Sequence, residues 1–187
     1  MKFSYLTILL FLFGQYGISQ SKIEREHRIL KSQFPSIDLA TIPLGGAKNI
    51  KYYREVDSAK ITFTLKFRQK KMRYHIDFDK MGTIQSTGFK VREVDIPTDT
   101  YANIHSFLQH SFKTIKIKYI QQCYPGTSED LIKNTFQNLI LPNNIYKVML
   151  RGKKVDKRKD YIVLFDAEGN LKNLTMALPA NYDRVLY

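Results

Sequence analysis

Two stretches of the chain, residues 74–84 and 161–171, share a pattern of alternating apolar and polar positions. The apolar positions that recur with a period of two are Tyr74, Ile76 and Phe78, and then Tyr161, Val163 and Phe165. This period is typical of a β-strand with one buried face. Both stretches therefore predict a strand that packs against a core.

An Asp-x-x-Gly sequence follows each of these strands, beginning at Asp79 and at Asp166, 87 positions apart. The Asp side chain can accept hydrogen bonds from the backbone ahead of it, and Gly tolerates the positive φ of a tight turn. The shared strand and turn predict an internal repeat in which each copy holds four antiparallel strands.

An amphipathic helix is expected before each set of strands. The apolar residues that would share a helical face are Ile23, Leu30 and Phe34 in the first copy, and Tyr101, Ile104, Leu108 and Phe112 in the second. A further short helix is expected within residues 125–144, where polar residues precede an apolar spacing that ends at Pro142. The predicted fold class is α+β: two α-β-β-β-β repeats whose antiparallel sheet is covered by helices on one face.

The first twenty residues have the pattern of a secretory signal. Lys2 precedes an apolar run from Leu6 to Phe13, and small and polar residues follow from Gly14 to Gln20. That run is shorter than the roughly 20 apolar residues that a membrane span needs. We therefore predict a signal peptide over 1–20, a first repeat over 21–96 and a second repeat over 97–187, with a periplasmic or secreted mature protein that has no transmembrane span.

Composition narrows the kinds of partner. The formal net charge is +13 at pH 7, with 12 Tyr, 12 Phe and a single cysteine, Cys123. One cysteine cannot form an intramolecular disulfide, and with no Cys/His pattern beside it we expect a buried structural thiol. A basic chain often binds nucleic acid, but export makes nucleic acid an unexpected partner. Acidic proteins, acidic glycans or lipid surfaces are the expected ones, and the charge could also serve solubility alone.

The residues resemble a known family. Phe34-Pro35, the strand residues Lys51-Tyr52-Tyr53 and the closing Tyr-x-Ile/Val-x-Phe-Asp-x-x-Gly look like exported bacterial PepSY-like domains. These are related in fold to β-lactamase-inhibitor-like (BLIP-like) proteins, in which α-β-β-β-β units occur in tandem. The resemblance implies a protein that is not an enzyme and whose sheet face engages or inhibits another protein.

The sequence contains no pattern that predicts catalysis, a metal site or a cofactor. The four histidines, His27, His75, His105 and His110, lack the spacing of metal ligands. No phosphate-binding loop and no Gly-x-Ser-x-Gly motif is present. We therefore expect no catalytic residues, no metal and no cofactor.

Basic residues cluster around the second-to-third hairpin of each predicted repeat, and basic and aromatic residues alternate with apolar ones along the strands. The candidate partner-binding residues are Tyr53, Lys66, Lys70, Lys71, Arg73, His75, Lys118, Lys147, Lys153 and Lys154. Lysine at a hairpin also discourages edge-to-edge strand pairing, so protection and solubility are an alternative role for the tips.

The function expected from these patterns is that of an exported, non-catalytic binding module that recognises or inhibits a protein through its open sheet face. The alternative is an envelope-associated structural protein that binds an acidic polymer or lipid through its basic hairpin tips. The sequence does not identify the partner.

Overall fold

A computed structural model describes residues 24–37, 39–57, 60–127, 130–155 and 157–177. Within these ranges, nine strands form one antiparallel sheet in which each strand pairs with the next along the chain. The strands are β1 (Glu24–Ile29), β2 (Lys48–Asp57), β3 (Lys60–Gln69), β4 (Met72–Phe78), β5 (Ile84–Val91), β6 (Thr114–Pro125), β7 (Ile145–Lys153), β8 (Arg158–Phe165) and β9 (Leu171–Met176). The pairing of β5 with β6 makes the sheet continuous through its middle.

Helices are few in the described part of the chain. Helix α1 (Thr98–Ser111) joins β5 to β6, and helix α2 (Asp130–Gln137) joins β6 to β7. Three single turns of 3₁₀-helix occur at Lys31–Gln33, Leu39–Thr41 and Glu93–Asp95. The predicted α+β class with a helix-covered sheet is therefore wrong, because strands dominate and the fold is mainly β.

The helix predicted before the first set of strands is the clearest error. Residues 24–29 form strand β1, which pairs with β2 through Arg28 opposite Tyr53 and Ile29 opposite Tyr52. Leu30, assigned to the buried face of that helix, is 70% exposed. The apolar residues of this segment were too widely spaced to favour a helix over pairing with β2. When β1 forms, the backbone N–H and C=O groups of β2 gain hydrogen-bond partners.

An irregular segment covers the sheet where that helix was expected. Phe34 is buried and makes edge-to-face contacts with Tyr52, Phe63 and Phe78, with ring centroids 5.0–5.7 Å apart. Such contacts add to the free energy gained by burying each ring. The first core therefore forms between strands and this segment.

The helix predicted before β6 is present as α1. Ile104 and Leu108 are fully buried, and they belong to a core cluster with Val148, Leu150 and Val163 of the sheet. Phe112, expected on the same helical face, ends the helix and is also buried. The i, i+4 spacing of these residues was therefore a reliable signal.

The short helix predicted within residues 125–144 is present as α2. It packs on β5 and β6 through Leu131, and Thr135 forms a short hydrogen bond with Thr87. The carbonyl oxygen of Leu139, just after the helix, accepts hydrogen bonds from Tyr124 Oη (2.7 Å) and Gln122 Nε2 (2.9 Å). These buried donors fix the end of α2 against the sheet.

Both predicted Asp-x-x-Gly turns form with the same hydrogen bonds. Asp79 Oδ1 accepts from the backbone N–H of Met81 and Thr83, at 2.8 and 2.9 Å. Asp166 Oδ1 accepts from the N–H groups two and four residues ahead, at 3.1 and 2.7 Å. Gly82 and Gly169 have φ of +83° and +88°, which Gly adopts at low cost.

The predicted signal peptide over 1–20 lies outside the described residues. The boundaries 21–96 and 97–187 stay predictions. Within the described residues, no helix is long and apolar enough to cross a membrane.

Candidate binding face

The two sides of the sheet differ in polarity. We call the side that packs against α1, α2 and the segment around Phe34 the helix face. Strand register places a second set of side chains on the opposite side, which we call the open face. The residues on the open face include Lys51, Tyr53, Thr64, Lys66, Arg68, Arg73, His75, Asp77, Gly88, Lys90, Tyr119, Gln121, Cys123 and Lys147.

A histidine and a cysteine meet at the centre of the open face. His75 lies opposite Gly88, which in turn lies opposite Cys123 on the next strand. His75 Nε2 is 3.8 Å from Cys123 Sγ, and His75 Nδ1 is 3.1 Å from Gln121 Nε2. A Cβ atom on Gly88 would come within 2.6 Å of the His75 ring. Gly88 therefore provides the space in which the imidazole crosses β5.

Both reactive groups of this pair are held neutral. Burial is the largest cause of a pKa of about 4 for His75; Lys147, Lys66 and Lys90 also lower it, against the opposing effect of Asp77. Burial raises the pKa of Cys123 to about 12. A cysteine nucleophile needs a thiolate, which usually requires a lowered thiol pKa. The geometry therefore does not activate Cys123.

A charged pair lies next to this neutral centre. Asp77 accepts hydrogen bonds from Thr64 Oγ1 (2.7 Å) and Ser86 Oγ (2.6 Å), which orient its carboxylate. Burial alone would lower the pKa of Lys147, but the acidic side chains around it, Asp77 among them, raise it overall. Lys147 therefore keeps its positive charge in the sheet.

Lysine and tyrosine pair on both sides of the centre. Lys66 Nζ lies 4.4 Å from the ring centroid of Tyr53, and Lys90 Nζ lies 4.0 Å from that of Tyr119. Lys66 also forms an ion pair with Glu26, with Nζ and Oε2 2.5 Å apart. A cation over an aromatic ring is held by the negative face of the ring. These contacts fix the two ammonium groups on the open face.

Like charges oppose each other across neighbouring strands. Lys51 is in register with Lys66, and Arg68 is in register with Arg73. Directly opposed like charges destabilise an antiparallel pair. The open face therefore has a positive potential that its own acidic groups only partly offset.

The two basic hairpin tips lie at the same end of the sheet. In an antiparallel meander, the β3–β4 and β7–β8 turns fall at one end and the Asp-x-x-Gly turns at the other. Lys70 and Lys71 form the first tip, and Lys153 ends β7 at the second. Four strand steps with a twist of roughly 20–25° each rotate the tips by about 80–100°. The tips therefore point in different directions.

Lys154, one of the sequence-predicted cations, lies away from the open face, and Lys118, like Lys66, is paired with a carboxylate. Lys154 Nζ lies 5.2 Å from the ring centroid of Phe112 and 5.5 Å from that of Tyr161, at the edge of the helix face. Lys118 Nζ is 2.7 Å from Asp160 Oδ2. The open face thus brings together Tyr53, Lys66, Arg73, His75 and Lys147, while Lys70, Lys71 and Lys153 lie at the tips.

The contact between His75 and Cys123 at the centre of the open face could not be predicted from the sequence. His75 and Cys123 are 48 positions apart and meet only because β5 lies between their strands. Lys90 and Tyr119 were also missed, although their alternation with buried neighbours was a usable signal. Across the described ranges, no three His, Cys, Asp or Glu side chains group closely enough to hold a metal ion.

Comparisons with known proteins give a likeness of fold. No protein-family model matches the sequence, and no curated protein sequence matches it. A DUF2874 family protein from Bacteroides ovatus ATCC 8483 is similar at 11% identity and a TM-score of 0.48, over 71% of this chain and 79% of that one. A BLIP-like protein from Bacteroides fragilis NCTC 9343 is similar at 12% identity and a TM-score of 0.48, over 82% of this chain and 98% of that one.

These likenesses concern strand arrangement only. At TM-scores below 0.5 they carry no conclusion about function. The β-lactamase-inhibitor-like part of the expected resemblance is in line with the second structure. The PepSY-like relationship and the tandem repeat stay predictions.

Proposed function

We propose that the chain is an exported, non-catalytic binding module that engages an acidic protein surface with its open face. The opposed like charges, Lys51 with Lys66 and Arg68 with Arg73, are the observation that carries this proposal. Glu26 already pairs with Lys66, so an acidic partner would mainly reduce the repulsion between Arg68 and Arg73 and compensate the charge of Lys51. Complementary charge also speeds association and rejects basic partners.

The centre of the face supports a rigid surface for that partner. His75 and Thr64 are buried, and Asp77 is held by two hydroxyl groups. Lys66 and Lys90 are held over tyrosine rings. Side chains that are already ordered lose less conformational entropy on binding.

The experiment is a pull-down from the native envelope fraction with the chain from Ser21 onward, at low and at moderate salt. A face variant carries Lys51→Glu and Arg68→Glu, both on exposed side chains. A matched tip variant carries Lys153→Glu and Lys157→Glu, which change the net charge equally. We expect one protein to be retained at moderate salt by the parent chain and the tip variant, and lost by the face variant.

Retention of that protein by the face variant would contradict the proposal. An inhibitory role requires a further result, namely that the captured protein loses activity when the parent chain is added. Unchanged activity in the saturated complex would limit the role to binding.

A second candidate function is attachment to an acidic polymer or lipid through the tips. It is favoured by Lys153 lying in register with Arg158, which places two positive charges side by side at the second tip. In the same pull-down, acidic glycan or lipid retained only at low salt, and lost in the tip variant, would support it over protein recognition.

A further inference from the structure

A cleft of about 660 Å³ opens where the β3–β4 turn approaches the segment after α2. Small-molecule sites usually measure about 300–1,000 Å³. Its lining includes apolar Met72, Phe89 and Ile140 and basic Lys71, Arg73 and Arg92. Apolar and cationic side chains therefore meet in one concave site.

The apolar part of the cleft combines a fixed wall with an exposed one. Phe89 is only 3% exposed, and its ring centroid lies 6.0 Å from that of Tyr74 and 6.2 Å from that of Tyr124. Ile140 is 58% exposed. Covering an exposed isoleucine with an apolar group is favourable, because apolar surface leaves water.

Only one of the basic side chains named in the cleft lining is paired with a carboxylate among the described residues. Arg92 is held by Asp95, with the two closest nitrogen–oxygen distances at 2.8 and 3.0 Å. Lys71 and Arg73 take part in no ion pair among the described residues. Lys90 also lines the cleft, and burial together with Arg73 lowers its pKa. An anion bound here would reduce the repulsion among these positive charges.

The backbone at the mouth of the cleft departs from ordinary turn chemistry. Lys70 and Lys71, the two residues of the β3–β4 turn, have φ of 46° and 70°. Two-residue turns with positive φ at both positions favour Asn-Gly, since Gly carries no Cβ. Lysine at both positions makes the turn less stable than Asn-Gly would, and it places Lys71 at the cleft. Local rules broken in this way are expected mainly at functional sites.

We propose that this cleft binds a small amphipathic anion, a molecule that joins an apolar chain to one carboxylate. The chain covers Met72 and Ile140, and the carboxylate faces Lys71 and Arg73. This proposal does not rest on the proposed function, because it needs no protein partner, although Arg73 belongs both to the open face and to the lining of the cleft.

The test is isothermal titration calorimetry of the chain from Ser21 onward with dodecanoate below micelle formation, and with dodecanol, its uncharged counterpart, below its solubility limit. We expect saturable binding of one dodecanoate, and dodecanol weaker by at least about tenfold. Lys71→Glu with Arg73→Glu is expected to weaken dodecanoate binding at least about tenfold. The Lys153→Glu and Lys157→Glu variant serves as the charge-matched control and should bind as the parent does.

Ile140→Asp provides a second variant, since its exposed side chain is not needed for the core. It is expected to weaken dodecanoate without changing the far-UV circular dichroism spectrum. The proposal is overturned if folded parent chain shows no saturable binding, if dodecanol binds as tightly as dodecanoate, or if the control variant loses as much affinity as the cleft variant. Sedimentation with phosphatidylglycerol vesicles, but no binding of free dodecanoate, would assign the cations to a lipid surface and also overturn it.

Discussion

Acidification is expected to destabilise the fold through His75. Burial lowers the pKa of this histidine in the folded protein from 6.5 to about 4. The unfolded chain therefore takes up a proton near pH 6.5, whereas the folded chain takes it up only near pH 4. The stability that the neutral His75 contributes is fully present above pH 6.5. It is lost as the pH falls from 6.5 to about 4, because the unfolded state binds more protons in this range.

The size of the effect follows from the two pKa values. Their difference of about 2.5 corresponds to about 3 kcal/mol, since each pKa unit is worth about 1.4 kcal/mol. Because His75 is only 6% exposed, solvent screens this cost little. The loss is a large share of the 5–15 kcal/mol that is typical of a folded domain.

Urea unfolding between pH 7.5 and 4, followed by far-UV circular dichroism, measures this loss. The parent chain and a His75→Gln variant are compared at each pH, so that other titrating groups contribute equally to both. We expect the free energy of unfolding to fall by about 3 kcal/mol more in the parent than in the variant. Parallel pH profiles for the two proteins would refute the reasoning.

Three further changes test other parts of the structure. Gly88→Ala should reduce the free energy of unfolding in urea by about 1–3 kcal/mol, because the new Cβ would lie 2.5 Å from the Gln122 carbonyl oxygen. The control Gly45→Ala has open space around its Cβ and should not be destabilising. Asp166→Ala should reduce the unfolding free energy by about 1–2 kcal/mol, because two backbone donors of its turn lose their acceptor; an unchanged midpoint would argue against that role. Cys123, whose side chain is half-buried, should react with iodoacetamide at pH 8 far more slowly in the folded chain than in urea, because desolvation raises its pKa to about 12; equal rates would contradict this raised pKa.

Local patterns predicted the elements whose stability depends on neighbouring residues in sequence. The strand period and the Asp-x-x-Gly chemistry located β4, β8 and the turns that follow them. The spacing of Ile104 and Leu108 likewise located α1. In each case a buried face or a turn acceptor can be identified from residues less than one element apart.

Non-local contacts decided what the sequence could not show. Strand β1 forms because β2 offers an unpaired edge, which the residues of β1 themselves do not reveal. The His75–Cys123 contact depends on the order of β4, β5 and β6 in the sheet. Lys154 was expected at a binding tip, but the nearby Phe112 and Tyr161 rings draw it to the helix face. Each outcome required the position of a distant strand or helix.

Lysine footprinting tests the central claim most directly. The chain from Ser21 onward is acetylated briefly, alone and with the native envelope fraction at moderate salt, and modification at each lysine is measured by mass spectrometry. We predict that the partner protects Lys51 and Lys66 on the open face, while Lys157 and Lys159 near the β7–β8 tip react as they do in the free chain. Protection of the tip lysines, with the open-face lysines fully reactive, would contradict recognition through the open face.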